Sequence, residues 1–132
     1  GVERTYATPL LDKLGVRPGA RVALVRIDDP TIRGLIAGRT DDVDDGHVEP
    51  DTDVVLLGAD EPGQLADLAA IRERIRPNGA IWVVSRKGRG STLRDVEVIA
   101  AARDADLVDN KVASFSATHT ALRLVIPRAL RR

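Results

Sequence analysis

Short, uninterrupted aliphatic runs alternate with amphipathic stretches along this chain. Arg21–Ile27, Asp53–Gly58 and Ala80–Ser85 carry the cores Val22-Ala23-Leu24-Val25, Val54-Val55-Leu56-Leu57 and Ile81-Trp82-Val83-Val84. Runs of this length, apolar at successive positions, predict strands buried on both faces, as in a parallel sheet covered by helices. Between the first two, Asp29 is a capping residue, Pro30 suits a first helical position, and Ile32, Leu35 and Ile36 form a stripe that stops at Gly38. After the second run, Asp60-Glu61-Pro62 opens a helix whose Leu65, Leu68, Ile71 and Ile75 carry it to about Arg76, before a Pro77-Asn78-Gly79 turn. Thr92-Leu93-Arg94-Asp95 predicts a capping box and a helix to about Ala105. Upstream, Thr8 as a cap, Pro9 and a left-handed stop at Gly15 predict a short helix, followed by a Pro18-Gly19 turn. From Arg39 to Thr52 only Val43 and Val48 are aliphatic, which allows one short strand at most.

The last two runs, Leu107–Phe115 and Thr120–Ile126, are separated only by Ser116-Ala117-Thr118-His119. A parallel pair needs a crossover of a dozen or more residues, so this pair is expected to be an antiparallel hairpin. The predicted architecture is a Rossmann-like α/β/α sandwich: a mostly parallel sheet of about five strands ending in that hairpin, with right-handed crossovers placing helices on both faces.

With 132 residues and 43% hydrophobic content, one α/β domain is expected. Aromatics are scarce, a single Trp, Tyr and Phe, so the core must be built from Val, Leu, Ile and Ala, and Trp82 is expected to pack inside it. Twenty basic and twenty acidic residues cancel. That balance disfavours a dedicated nucleic-acid binder, which carries a basic excess for phosphate contact. The chain contains no cysteine, so disulfide and thiolate chemistry are excluded and a reducing compartment suits it. No apolar run reaches the roughly 20 residues that span a bilayer, and Gly1-Val2-Glu3-Arg4 lacks signal-peptide character. A soluble cytoplasmic protein without membrane partners is the expectation.

Four groups of residues invite a chemical reading. Asp41, Asp42, Asp44, Asp45, Glu49, Asp51 and Asp53 crowd one segment, but the ordered ligands of a calcium loop are missing, and a solvated loop is expected rather than a metal site. His119 sits near Ser116 and Thr118 without an acid placed to orient it, and His47 lies in the acidic stretch; both read as turn residues, so no catalytic residue is nominated. Arg86, Lys87 and Arg89, among Gly88, Gly90 and Ser91, follow the third run at the carboxyl edge of the sheet, where open α/β sheets bind ligands. These three are the candidate binding residues for a small anion, in a site expected near Asp28, Gly58, Ser85, Arg86 and Lys87.

Leu14–Val22 resembles the entry to the first strand of class I methyltransferases, Ile75–Val83 resembles their turn and following strand, and Asp106–Val112 is similar to their penultimate strand. Thr8–Val22, Trp82–Lys87, Leu107–Val112 and Ala121–Val125, taken in order, also resemble a family of small uncharacterised bacterial proteins of the domain-of-unknown-function kind. The resemblance implies a shortened, degenerate methyltransferase-like fold with its early strands trimmed, and with it the strand order first, second, third, fifth, fourth. It also implies a glycine-rich cofactor loop after the first strand and an acidic ribose ligand after the second. Here the loop position reads Val25-Arg26-Ile27-Asp28-Asp29-Pro30, without glycine, and only Glu49 or Asp51 can be nominated for the ribose. Side chains at Arg26 and Ile27 are expected to fill the cofactor's space, so no cofactor is assigned and S-adenosylmethionine is expected not to bind. The leading expectation is a non-catalytic binding or interaction domain with a small anionic ligand or a protein partner. The alternatives are a divergent S-adenosylmethionine-dependent methyltransferase and a structural or regulatory homodimer.

Overall fold

The computed structural model describes residues 10–131. Helix α1 covers residues 10–14, β1 is Val22–Val25, α2 is Pro30–Ala37, β2 is Val43–Asp45 and β3 is Thr52–Gly58. There follow α3 (Leu68–Arg72), β4 (Ile75–Arg86), α4 (Asp95–Asp104), β5 (Val108–Ser114) and β6 (His119–Val125). The expected cap Thr8 and the adjoining Pro9 lie outside the described residues. The predicted stop is present: Gly15 has φ +77°, a left-handed conformation that a Cβ would oppose.

The six strands form one sheet in the order β2-β1-β3-β4-β6-β5. Pairs β1–β2, β1–β3 and β3–β4 are parallel, whereas β6 runs antiparallel between β4 and β5. The five runs read from the sequence therefore take the expected order, the last lying between the third and the fourth. The short strand allowed between Arg39 and Thr52 is also present: Val43–Asp45 pairs with Val22–Leu24 at the open edge and makes the sixth strand among the described residues.

Alternation along the buried strands divides the core between the two faces. Val22, Leu24, Val54, Leu56, Trp82 and Val84 meet Leu11 and Leu14 of α1 and Ile32 and Ile36 of α2. Ala23, Val55, Leu57, Ile81, Val83 and Leu124 meet Leu68 and Ile71 of α3 and Val98 and Ala102 of α4. This is the three-layer sandwich. Trp82 is fully buried at its centre, and its indole Nε1 donates to the Leu14 carbonyl at 3.1 Å. A buried indole needs such a partner, and here the bond fastens α1 to the sheet.

Three local expectations are corrected. The helix from Glu61 to Arg76 is a 3-10 segment, Pro62–Asp67, followed by the five-residue α3. Glu61 supplies no side-chain cap, Gly63 weakens the first turn, and Leu65, Leu68 and Ile71 recur every third residue, a spacing that a tight 3-10 turn satisfies. Ile75 belongs to β4 and pairs with Thr52. Pro77-Asn78-Gly79 lies within β4 as a bulge: Ile75 faces Thr52 and Ala80 faces Val54, so four residues oppose Asp53 alone. The capping box also moves, since α4 starts at Asp95 with Arg94 as its cap. The Arg94 backbone N–H donates to Glu97 at 3.0 Å, while the Thr92 hydroxyl donates to the Asp60 carbonyl. No helix among the described residues is long and apolar enough to cross a membrane.

Candidate functional site

Parallel β1, β3 and β4 all end on one edge of the sheet, and a cleft of about 560 Å³ opens there. Its floor is Ile27, Val84 and Phe115, all buried. Around its rim stand Asp28, Asp60, Arg86 and His119. Asp29 is occupied as the cap of α2, accepting from the backbone N–H groups of Thr31 at 2.9 Å and Ile32 at 3.3 Å. Arg86 and His119 are cross-strand partners of β4 and β6.

Arg26 closes one end of the cleft. It leaves β1 with φ +56°, a left-handed conformation unusual for a residue with a side chain. Its guanidinium folds across the end of β3, with Nε donating to the Gly58 carbonyl at 2.9 Å and Nη2 to the Gln64 carbonyl at 3.0 Å; Asp67 stands 3.8 Å from Nη1. The backbones touch as well. A Cβ at Gly58 would lie 2.1 Å from the Arg26 carbonyl oxygen, so glycine is required on β3 rather than in the loop after β1.

Arg33, one turn into α2, holds the end of β2. It forms a two-pronged ion pair with Asp45 and donates to the Ile27 carbonyl at 3.0 Å. The Arg33 hydrogen bond and charge hold the Asp45 carboxyl below the ordinary carboxylate range, and Asp45 raises the Arg33 guanidinium in return. The carboxylate at the end of the second strand is thus Asp45. The Glu49 and Asp51 nominations are corrected: both are exposed beyond β2 and neither lines the cleft.

The acidic segment is more structured than a solvated loop. Asp42 pairs with Arg21 at 3.1 Å, and Asp53 pairs with Arg76 at 2.9 Å while accepting from the Arg21 backbone N–H at 2.9 Å. Asp44 lies 3.4 Å from His47. Among the described residues no group of three or more His, Cys, Asp or Glu side chains is placed to hold a metal. At the hairpin turn, Ser116 Oγ accepts from the backbone N–H groups of Thr118 at 3.3 Å and His119 at 3.2 Å. The His119 ring meets Thr118 Oγ1 at 2.7 Å rather than Ser116. These are turn-forming contacts, and the residues form no nucleophile–base pair of the serine–histidine kind.

The three basic candidates separate. Arg86 lines both the cleft and a second hollow on the α4 side of the sheet. Lys87 lines only that second hollow, and its Nζ donates to Ser114 Oγ at 3.1 Å. Arg89 sits in the exposed 3-10 turn Gly88–Gly90 and lines neither. Arg33 and the Asp45 pair were missed from sequence. The one available signal was an arginine four residues after the cap Asp29, on the helix that follows the first strand.

Residues 11–128 match the family model described as "Protein of unknown function (DUF3052)". No curated protein matches the chain in sequence. Among solved structures, it superposes on an S-adenosylmethionine-dependent O-methyltransferase from Thermotoga maritima with a TM-score of 0.65 at 10% identity, covering 94% of this chain and 66% of that one. Mitomycin 7-O-methyltransferase gives a TM-score of 0.65 at 9% identity, over 93% of this chain and 54% of the other. A TehB-like methyltransferase from Corynebacterium glutamicum gives 0.55 at 13% identity, over 92% and 87%. The chain thus spans about two thirds and about half of the first two enzymes, and the likeness establishes a methyltransferase-like Rossmann fold.

Proposed function

Because the chain belongs to the DUF3052 family of unknown function and folds like a methyltransferase, we propose that it is a non-catalytic binding domain on that scaffold, taking a small polar ligand at the carboxyl edge of the sheet. One observation carries the reading: Arg26 stands where the resemblance places a glycine-rich cofactor loop, and its guanidinium is spent on the Gly58 and Gln64 carbonyls. S-adenosylmethionine does not fit these residues. A cofactor loop relies on glycine so that backbone can approach the ligand, and here the position carries the Arg26 side chain, which reaches across to the Gly58 and Gln64 carbonyls. The acidic group at the end of β2 is held by Arg33, which removes the carboxylate that a ribose would need. Nor does the cleft hold an oriented base, since among the described residues no carboxylate pairs with His119, whose Nδ1 faces Thr118.

Calorimetric titration with S-adenosylmethionine and S-adenosylhomocysteine tests this reading. The expected result is no saturable heat with either. Saturable micromolar binding would overturn it and favour a divergent methyltransferase. A thermal-shift screen of polar metabolites supplies the positive arm, because a ligand that binds only the native state raises its melting temperature.

A further inference from the structure

The second hollow, of about 540 Å³, lies between the end of β4 and the start of α4. Ser85, Arg86, Lys87, Arg94, Asp95 and Thr120 bear on it. Three cations face one carboxylate. Among the described residues, Arg86 has no hydrogen-bond or ion-pair partner, and Lys87 contacts only the neutral Ser114 hydroxyl. Arg94 is 3.5 Å from Glu97 and largely exposed.

Ser85 gives the hollow its chemical character. It is 5% exposed, it lines the hollow, and its hydroxyl has no partner among the described residues. The two neighbouring hydroxyls already donate elsewhere, Ser91 to the Leu93 carbonyl at 3.3 Å and Thr120 to the Ala113 carbonyl at 3.4 Å. The Ser85 hydroxyl opens onto the hollow, where beside the unpaired Arg86 and Lys87 it is a donor free for a ligand. Helix α4, ten residues long, begins at the same place, and its first-turn N–H groups add positive potential.

We propose that this hollow binds the phosphate group of a small phosphorylated ligand, held by the Ser85 hydroxyl, the Lys87 ammonium and the Arg86 guanidinium at the N-terminus of α4. A hydroxyl, an ammonium, a guanidinium and backbone N–H groups arriving from different directions match a tetrahedral dianion with three terminal oxygens better than a planar carboxylate. Asp95 and Glu97, which pairs with Arg94 and caps α4, are the opposing charges, and Arg86 and Lys87 are the cations left without a carboxylate among the described residues. The inference rests on the binding-domain reading and names the ligand chemistry for it. Arg86 belongs to both hollows, so the remainder of such a ligand has a path from the phosphate position into the cleft.

The test is an amide NMR titration of the whole chain with inorganic phosphate, against sodium chloride at matched ionic strength, with adenosine monophosphate in parallel. Saturating shifts at Ser85, Lys87 and residues 94–96 are expected with phosphate and not with chloride. Ser85→Ala and Lys87→Gln should each weaken binding about tenfold, the loss of one strong hydrogen bond to a charged group. Arg89→Gln should leave it unchanged. Lys87 is exposed, so its variant keeps the test valid even if Ser85→Ala impairs folding. Tighter binding of the monophosphate identifies a phosphorylated small molecule, whereas equal affinities identify free phosphate and overturn the assignment to a larger ligand. No saturable shifts, or a response that Arg89→Gln lowers as much as Lys87→Gln, overturns the site altogether. That failure leaves the binding-domain reading standing if S-adenosylmethionine remains silent. Saturable S-adenosylmethionine binding overturns that reading whatever phosphate does.

Discussion

Replacing Arg26 with Gly, Asn and Ala separates what this residue costs from what it contributes. In the native state it holds φ +56°, which costs a side-chain-bearing residue about 1 kcal/mol. Against that stand the 2.9 Å bond to the Gly58 carbonyl, partly buried, and the 3.0 Å bond to the Gln64 carbonyl, exposed. Hydrogen bonds to charged groups contribute about 1.5 kcal/mol at the low end, and an exposed one about 0.5 kcal/mol. The Asp67 contact, 3.8 Å and well exposed, adds little. Ala keeps the strain and loses both bonds, so it should destabilise by about 2 kcal/mol. Asn tolerates the left-handed region and should cost about 1 kcal/mol. Gly removes the strain entirely but adds backbone entropy to the unfolded chain, about 0.7 kcal/mol, for a net loss between 1 and 2 kcal/mol, roughly.

Urea unfolding followed by fluorescence reads this order directly, because Trp82 is the only tryptophan and is fully buried. At a slope of about 1.5 kcal/mol per molar urea, the Ala midpoint should fall by roughly 1.3 M and the Asn midpoint by roughly half of that. A Gly variant with a midpoint at or above the native one would refute the reasoning. It would mean that the guanidinium contacts contribute nothing and that Arg26 is not a strut between β1 and β3.

Asp45 should titrate below the ordinary carboxylate range in a carboxyl-detected NMR experiment, and Arg33→Gln should return it there. A carboxyl lowered in the folded state stabilises fully above its unfolded value near about 4 and loses that contribution as pH falls through the folded value, so Arg33→Gln should flatten the acid limb of the stability profile. Equal Asp45 midpoints in the two proteins would rule the ion pair out. Gly58→Ala places a methyl 2.1 Å from the Arg26 carbonyl oxygen, a backbone atom that cannot rotate away. It should therefore lower stability by about 3 kcal/mol or more in the same urea assay, and a loss under 1 kcal/mol would contradict the close approach.

Elements whose information is local were legible in the sequence. The aliphatic runs of β1, β3 and β4, the Asp29-Pro30 start of α2 and the four-residue gap of the hairpin each carry their own signal, and the strand order came from the methyltransferase resemblance. Strand β2 was not legible, because Val43 is its only aliphatic residue and its edge position rests on backbone pairing to β1 and on Arg33 gripping Asp45. The 3-10 segment and α3 were misread because Leu65, Leu68, Ile71 and Ile75 lie near both helical and 3-10 spacing, and only the pairing of Ile75 with Thr52 decides between them. The missing glycines at Arg26 and Ile27 were legible, but not the strut itself, whose partner Gly58 is 32 residues away. Ser85 was read as lying near a site. That its hydroxyl lacks a partner is a property of neighbours on three other elements, which no local pattern encodes.

Arg26 and Arg33 play similar structural parts on this scaffold. Both belong to the segment running from the end of β1 into α2. Each reaches sideways to a neighbouring strand, Arg26 to β3 through Gly58 and Arg33 to β2 through Asp45. The carboxyl ends of β1, β2 and β3 are therefore tied together by the chain's own side chains, beside the cleft that Arg26, Asp28 and Gly58 line. The remaining carboxyl edge, from β4 to β6, shows the opposite balance. Among the described residues the Arg86 side chain has no hydrogen-bond or ion-pair partner, Lys87 touches only a neutral hydroxyl, and the Ser85 hydroxyl is free to donate into the hollow. Side chains that satisfy one another stabilise a fold, whereas donors left without acceptors at a strand end and a helix start favour an incoming anion. The unspent donors are what the phosphate proposal draws on, at the β4–β6 side of the edge.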